Sequence, residues 1–68
     1  MMKRLIIFLI RKRLGLKKGE TFQFVGQKTN AEYWFESEFL AKYHENQYTE
    51  SSVSLNWLLN DNCEIRKI

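Results

Sequence analysis

The chain has 68 residues, 44% hydrophobic and 15% aromatic, with 11 Lys and Arg against 8 Asp and Glu and a single Cys. Such a length holds one small domain that buries about 60% of its unfolded surface, leaving little core to give up to a deep catalytic cleft, while the apolar fraction excludes a disordered chain. One Cys excludes an internal disulfide and fits a cytoplasmic setting better than a secreted one.

Charge is segregated along the chain. Residues 1–18 carry Lys3, Arg4, Arg11, Lys12, Arg13, Lys17 and Lys18 and no acid; residues 19–68 carry four cations and eight carboxylates, so +7 and −4 sum to +3. A split of this kind predicts either a basic end directed at an anionic partner or complementarity within the molecule.

The first element is the apolar run Leu5-Ile6-Ile7-Phe8-Leu9-Ile10, closed on both sides by cations. It falls short of the roughly 7–15 apolar residues of a secretory signal, and no small-residue cleavage site follows. A membrane span needs about 20. Flanking cations leave a surface-lying amphipathic helix as a third reading. Gly15 stands where a left-handed helix end belongs, and Leu16 after it can fold back onto Ile10. Arg11, Lys12 and Arg13 complement the helix dipole in the last turn. Residues 3–14 are therefore predicted helical. Leu5, Phe8 and Leu9 share one face and Ile7, Ile10 and Leu14 another, together wider than one core stripe. Leu5, Phe8 and Leu9 are assigned to the core, along with Phe22, Phe24, Tyr33 and Phe35.

After a short turn at 17–20, residues 21–25 alternate as a half-buried strand with Phe22 and Phe24 inward. A polar connection over 26–31 leads to a second strand at 32–36. Tyr33 and Phe35 share its inner face, and Trp34 points the other way with the glutamates. Residues 39–44 alternate as a third strand would, although Phe39, Leu40 and Tyr43 also suit a helical turn. Residues 45–52 are polar apart from Tyr48 and are predicted to be a loop. Ser54 is a good N-cap for a short helix over 55–59, with Val53 packing on Leu58 as a hydrophobic staple. Asn60, Asp61 and Asn62 tolerate a left-handed exit. Residues 63–68 form the last strand, with Cys63 and Ile65 on one face. The sum is a single α+β domain over residues 1–68: an N-terminal helix, then a small antiparallel sheet of three to four strands, with a short helix before the last.

The block Leu14-Gly-Leu-Lys-Lys-Gly-Glu-Thr-Phe-Gln-Phe24, with Ser54-Leu-Asn-Trp-Leu-Leu and Cys63-Glu-Ile-Arg-Lys-Ile, resembles small uncharacterised proteins encoded by phages and prophages of Gram-positive bacteria. The match covers about half the chain and rests on packing residues. It implies the same fold and a phage origin and transfers no site. Many such proteins continue past the last strand with a Pro-rich extension, which this sequence lacks.

Few parts for chemistry are present. One His and one Cys supply no zinc set at the usual spacings, and no calcium loop occurs. Gly15, Gly19 and Gly26 make no phosphate loop or dinucleotide fingerprint. A Cys63–His44 dyad is a catalytic unit in principle, but Cys63 alternates with Ile65 as a small core residue. No catalytic residue, metal or cofactor is expected.

Binding is the function that remains. The preferred partner is a host or phage protein, met through an aromatic patch at Trp34 and the basic cluster Arg11, Lys12, Arg13, Lys17 and Lys18, as in an inhibitor or anti-defence factor. The alternative is nucleic acid, with the same cations on phosphates and Trp34 or Tyr48 stacking on bases. A competing reading makes the cluster a helix cap facing the protein's own glutamates. A homodimer through the first helix would absorb the surplus apolar surface equally well. A membrane-surface role ranks last.

Overall fold

The structure, a computed structural model, describes residues 2–60 and 63–68. Helix α1 covers Met2–Leu14 and is followed by strands β1 (Phe22–Phe24), β2 (Glu32–Phe35), β3 (Leu40–His44) and β4 (Gln47–Glu50). Helix α2 (Leu55–Asn60) and strand β5 (Ile65–Lys67) complete the fold. One five-stranded sheet runs in the order β4-β3-β2-β1-β5, with every neighbouring pair antiparallel. The α+β class is as expected; the fifth strand is an addition.

The end of α1 follows from Gly15. Its φ of 70° is open to glycine at no steric cost. The turn closes with Gly15 N–H donating to Lys12 C=O at 3.3 Å and Leu16 N–H to Arg11 C=O at 2.9 Å. That pair of bonds is the Schellman arrangement. It returns Leu16 to the interior, where Leu16 and Ile10 join one apolar cluster.

The core sits between the helices and one face of the sheet. It is built from Ile7, Ile10, Leu16, Phe22, Ala31, Tyr33, Phe35, Leu40 and Leu58. Alternation in β2 places Tyr33 and Phe35 inward, and the register puts Phe22 opposite Tyr33 and Leu40 opposite Phe35 on that same face. The opposite row runs Trp34, Ala41, Glu50, so the outer face begins with Trp34. Both helices therefore cover one side of the sheet, and Trp34 lies on the other.

Three expectations need correction. Leu5, Phe8 and Leu9 are exposed rather than core; α1 instead buries Ile7 and Ile10, with Ile6 and Leu14 packed beside them. Both candidate stripes have helical spacing, and the docking of Leu16 and α2 against Ile10 decides which one turns inward. The second correction is β4. His44 and Gln47 pair across a turn in which Glu45 and Asn46 have φ of 52° and 62°, the two-residue type I′ hairpin. Neither residue is the glycine that usually marks that turn, so the polar segment reads as a loop in sequence. Third, the strand count therefore rises from three or four to five.

Other expectations hold. Residues 40–44 are a strand, with Leu40 rather than Ala41 facing the helices. Ser54 caps α2, its Oγ accepting from Trp57 N–H at 3.3 Å, and Val53 packs beside the buried Leu58. Cys63 and Ile65 both pack against the core. Asp61 and Asn62, assigned to a left-handed exit, lie outside the described residues, whereas Asn60 closes α2.

Glu20 ties the α1–β1 turn to the last strand. Its carboxylate accepts from Lys17 N–H at 2.9 Å and lies 3.6 Å from the Lys67 ammonium. The backbone hydrogen bond from Lys17 is the main reason its pKa falls below the ordinary value; Lys67 adds to this against a desolvation that opposes it. A depressed folded pKa contributes stability above the unfolded pKa, and that contribution fades as pH drops through the folded value. Glu20→Gln is thus expected to lower Tm at neutral pH. Its deficit relative to wild type should shrink as acid is added below the ordinary glutamate value of 4.5. A deficit independent of pH would show that the charge is not what matters.

Candidate docking face on the first helix

Because α1 turns Ile7 and Ile10 inward, its outer side carries Leu5 (61% exposed), Phe8 (45%) and Leu9 (43%) together. Scattered exposed apolar residues are ordinary; a cluster of large ones on one helix face is not. Cations frame it. The Lys12 ammonium stands 5.5 Å from the centre of the Phe8 ring, a cation–π contact one helical turn along. No acidic residue occurs anywhere in α1.

Beside this face runs an open groove of about 300 Å³, with Arg4, Arg11 and Lys18 on its rim and Ile7, Phe8 and Phe35 on its walls. Glu36 is the carboxylate that faces them there. Arg4 is partly engaged, its Nε 3.3 Å from Glu38 in a pair whose side chains are 68% and 53% exposed. At that exposure the pair is worth at most about 1 kcal/mol, and an incoming anion can displace it.

The expected basic cluster does not act as one group. Arg11 and Lys18 meet at the groove, whereas Lys12 stacks on Phe8. Arg13 donates from Nη1 to the Leu59 carbonyl at the end of α2. That bond neutralises a helix C-terminus and makes Arg13 a structural cation. Lys17 contributes its backbone N–H to Glu20 and leaves its ammonium exposed. Arg11, Lys12 and Arg13 all lie in the last turn of α1, Arg13 closes α2 as well, and Glu36 faces Arg4, Arg11 and Lys18, so the helix-cap reading stands beside the docking one.

Trp34 is not part of this surface. It is half-buried on the far side of the sheet, its Nε1–H donating to Glu36 at 2.8 Å and its ring 5.6 Å from that of Tyr48. With Tyr43, 40% exposed, and Tyr48, 55% exposed, it forms an aromatic strip on the outer face. Glu32 and Glu50 share that face by register, so the strip sits among carboxylates. The Trp34 ring lies on the face of the sheet opposite the helices, and Glu36 just after β2 links the two sides, accepting from Trp34 Nε1–H while lining the groove beside Arg11. Phe8 supplies next to the cations the aromatic contact that sequence reasoning placed at Trp34. Its exposure follows from which helix stripe is buried, which periodicity leaves undecided.

The remaining concave places are otherwise engaged. A groove of about 450 Å³ lies between the start of α1, β3 and the segment leading into α2, with Lys3, Glu38 and Glu50 on its walls. Its Ser51 and Ser54 hydroxyls already accept from Val53 and Trp57 N–H. A shallower one joins Phe24, Val25, Trp57 and Cys63. Trp57, 45% exposed, is an exposed aromatic residue that the sequence assigned only to a short helix. His44 ends β3 and Cys63 precedes β5, with β2 and β1 between those strands, so the two do not form a dyad. Among the described residues, no three His, Cys, Asp or Glu side chains converge as metal ligands, and no polar or charged side chain is buried. Among the same residues, no helix is long and apolar enough to cross a membrane.

No protein-family model matches the chain, and comparison with curated proteins and with solved structures finds no match.

Proposed function

We propose that the protein is a non-enzymatic binding module that docks through α1 onto an acidic, partly apolar surface of another protein. The observation that carries this is the joint exposure of Leu5, Phe8 and Leu9 beside Arg4, Arg11, Lys12 and Lys18. Apolar contact supplies the affinity at the centre of such a face, and the cations steer and orient the approach. Support for a non-catalytic role comes from a core without buried polar or charged side chains among the described residues. The setting, a phage or prophage accessory protein acting on a host or phage protein, rests on the resemblance of the Leu14–Phe24, Ser54–Leu59 and Cys63–Ile68 segments alone, and the cytoplasmic location on the single Cys.

A protein partner fits better than nucleic acid for a geometric reason. Phosphates call for cations without an apolar centre, whereas the cations here stand around Leu5 and Leu9 as well as Phe8, and aliphatic side chains offer bases no ring to stack on. The test is capture from a Gram-positive lysate, run in parallel with and without nuclease, by tagged wild-type protein and two variants. Leu5→Ser with Phe8→Ser should lose the captured protein, and Trp34→Ala should keep it. Capture unchanged by the helix substitutions, or abolished by nuclease, would end this reading.

A further inference from the structure

The sheet has two edges, and they are built differently. β5 (Ile65–Lys67) is short and carries Arg66 and Lys67, the kind of charge that keeps an edge from pairing with its own copy. β4 has no such guard. Its four residues, Gln47-Tyr48-Thr49-Glu50, are all exposed, with no Lys, Arg or Pro among them. Pairing to β3 is regular from His44↔Gln47 to Ala41↔Glu50, so no bulge twists the edge away. Exposure along the whole strand also means that neither helix covers it.

The hydrogen-bond parity of this edge is fixed. A two-residue hairpin makes His44↔Gln47 a bonded pair. The ladder keeps the same parity to its far end, where Ser51 N–H donates to Leu40 C=O at 2.8 Å. Gln47, Thr49 and Ser51 therefore bond inward to β3. The N–H and C=O groups of Tyr48 and Glu50 point outward from the sheet.

We propose that a second copy of this chain occupies that edge, β4 pairing antiparallel with the partner's β4 about a two-fold axis at Thr49. In this register Tyr48 faces the partner's Glu50, and Glu50 faces the partner's Tyr48. Both residues of each such pair have outward backbone groups, so every free bonding site between 48 and 50 finds its complement. No like charges stand directly opposite, and Thr49 meets the partner's Thr49 in the close, non-bonded position. Residues of the same parity face each other, so the helix layers of both copies lie on one side of a continuous sheet. The aromatic strip of Trp34 and Tyr48 then continues across the axis on the other side. The alternative contacts are opposed by charge: α1 against α1 would bring Arg4, Arg11, Lys12 and Arg13 of two copies together without an acid in either helix. A β4 dimer presents two α1 faces in one direction, which makes the docking of the previous section bivalent. The dimer itself does not depend on that docking.

The experiment is sedimentation equilibrium of the full chain from micromolar to millimolar concentration, with far-UV circular dichroism confirming that each variant is folded. Wild type should pass from monomer to dimer. Thr49→Lys alone and Thr49→Glu alone should each weaken dimerisation by roughly tenfold, because like charges are then directly opposed. An equimolar mixture of the two should recover it. Glu50→Pro removes an outward N–H that the sheet does not use, and should leave a folded monomer. In wild type, amide exchange at Tyr48 and Glu50 should slow as concentration rises. A wild-type protein that stays monomeric at millimolar concentration overturns the proposal. So does a dimer indifferent to these substitutions, or a mixture that fails to recover it.

Discussion

Phe22→Ala is expected to unfold the domain at ambient temperature. Phe22 is fully buried (0% exposed) and is the hub of the aromatic core. Its ring packs edge-on to Phe24 at 5.4 Å, near Tyr33 at 6.0 Å, and stacked on Phe35 at 5.7 Å. Truncation removes the transfer free energy of a whole ring and leaves a void that three strands cannot close independently, a cost of about 3–5 kcal/mol. A single core in a chain of this length rarely supplies more than about 3–5 kcal/mol in total. Near-UV circular dichroism should therefore lose its fine structure, and urea titration should show no folded baseline. Phe24→Ala, at a partly buried neighbour, should leave a folded but weakened protein. If Phe22→Ala folds with a urea midpoint near that of wild type, the packing described for β1 is wrong.

Reversing charge at Arg11 and Lys12 is expected to slow association with the captured partner by roughly tenfold or more, and to flatten its dependence on salt. Neither residue is needed for folding: Lys12 is exposed and Arg11 rims an open groove. Arg11→Glu with Lys12→Glu should therefore stay folded, with Tm lowered by the cations lost from the last turn of α1, while its association rate falls, measured by surface plasmon resonance at low and high salt. Arg13→Glu should lower Tm without slowing association. Its guanidinium donates to the Leu59 carbonyl, so reversal places a carboxylate against a helix C-terminus and lowers Tm. If all three positions affect stability and none affects association, the cluster is a helix cap throughout.

Most of the architecture is legible from the residues because local chemistry and tertiary packing agree. Gly15 and Leu16 specify the end of α1, and Ser54 with Val53 specifies the start of α2. The alternation at Phe22, Phe24, Tyr33 and Phe35 fixes the inner face of the sheet. Two features escape for definable reasons. A helix with apolar residues on both faces has two equivalent stripes, and only the docking of Leu16 and Leu58 against Ile10 chooses between them. Strand β4 carries one large side chain, Tyr48, and is held by backbone pairing to β3 and by a turn whose left-handed residues are Glu45 and Asn46. Side-chain pattern carries little of that information. For the candidate site, the cations were visible as a group in the sequence, but their division was not. The division depends on α2 ending beside Arg13 and on Trp34 pointing to the face of the sheet opposite the helices.

The most direct test places a photo-crosslinking benzoylphenylalanine at Phe8 in one protein and at Trp34 in another, and irradiates each in nuclease-treated lysate of a Gram-positive bacterium. A discrete protein adduct is expected from position 8 and none from position 34. An adduct from position 34 alone, or none from position 8, would contradict α1 as the docking face.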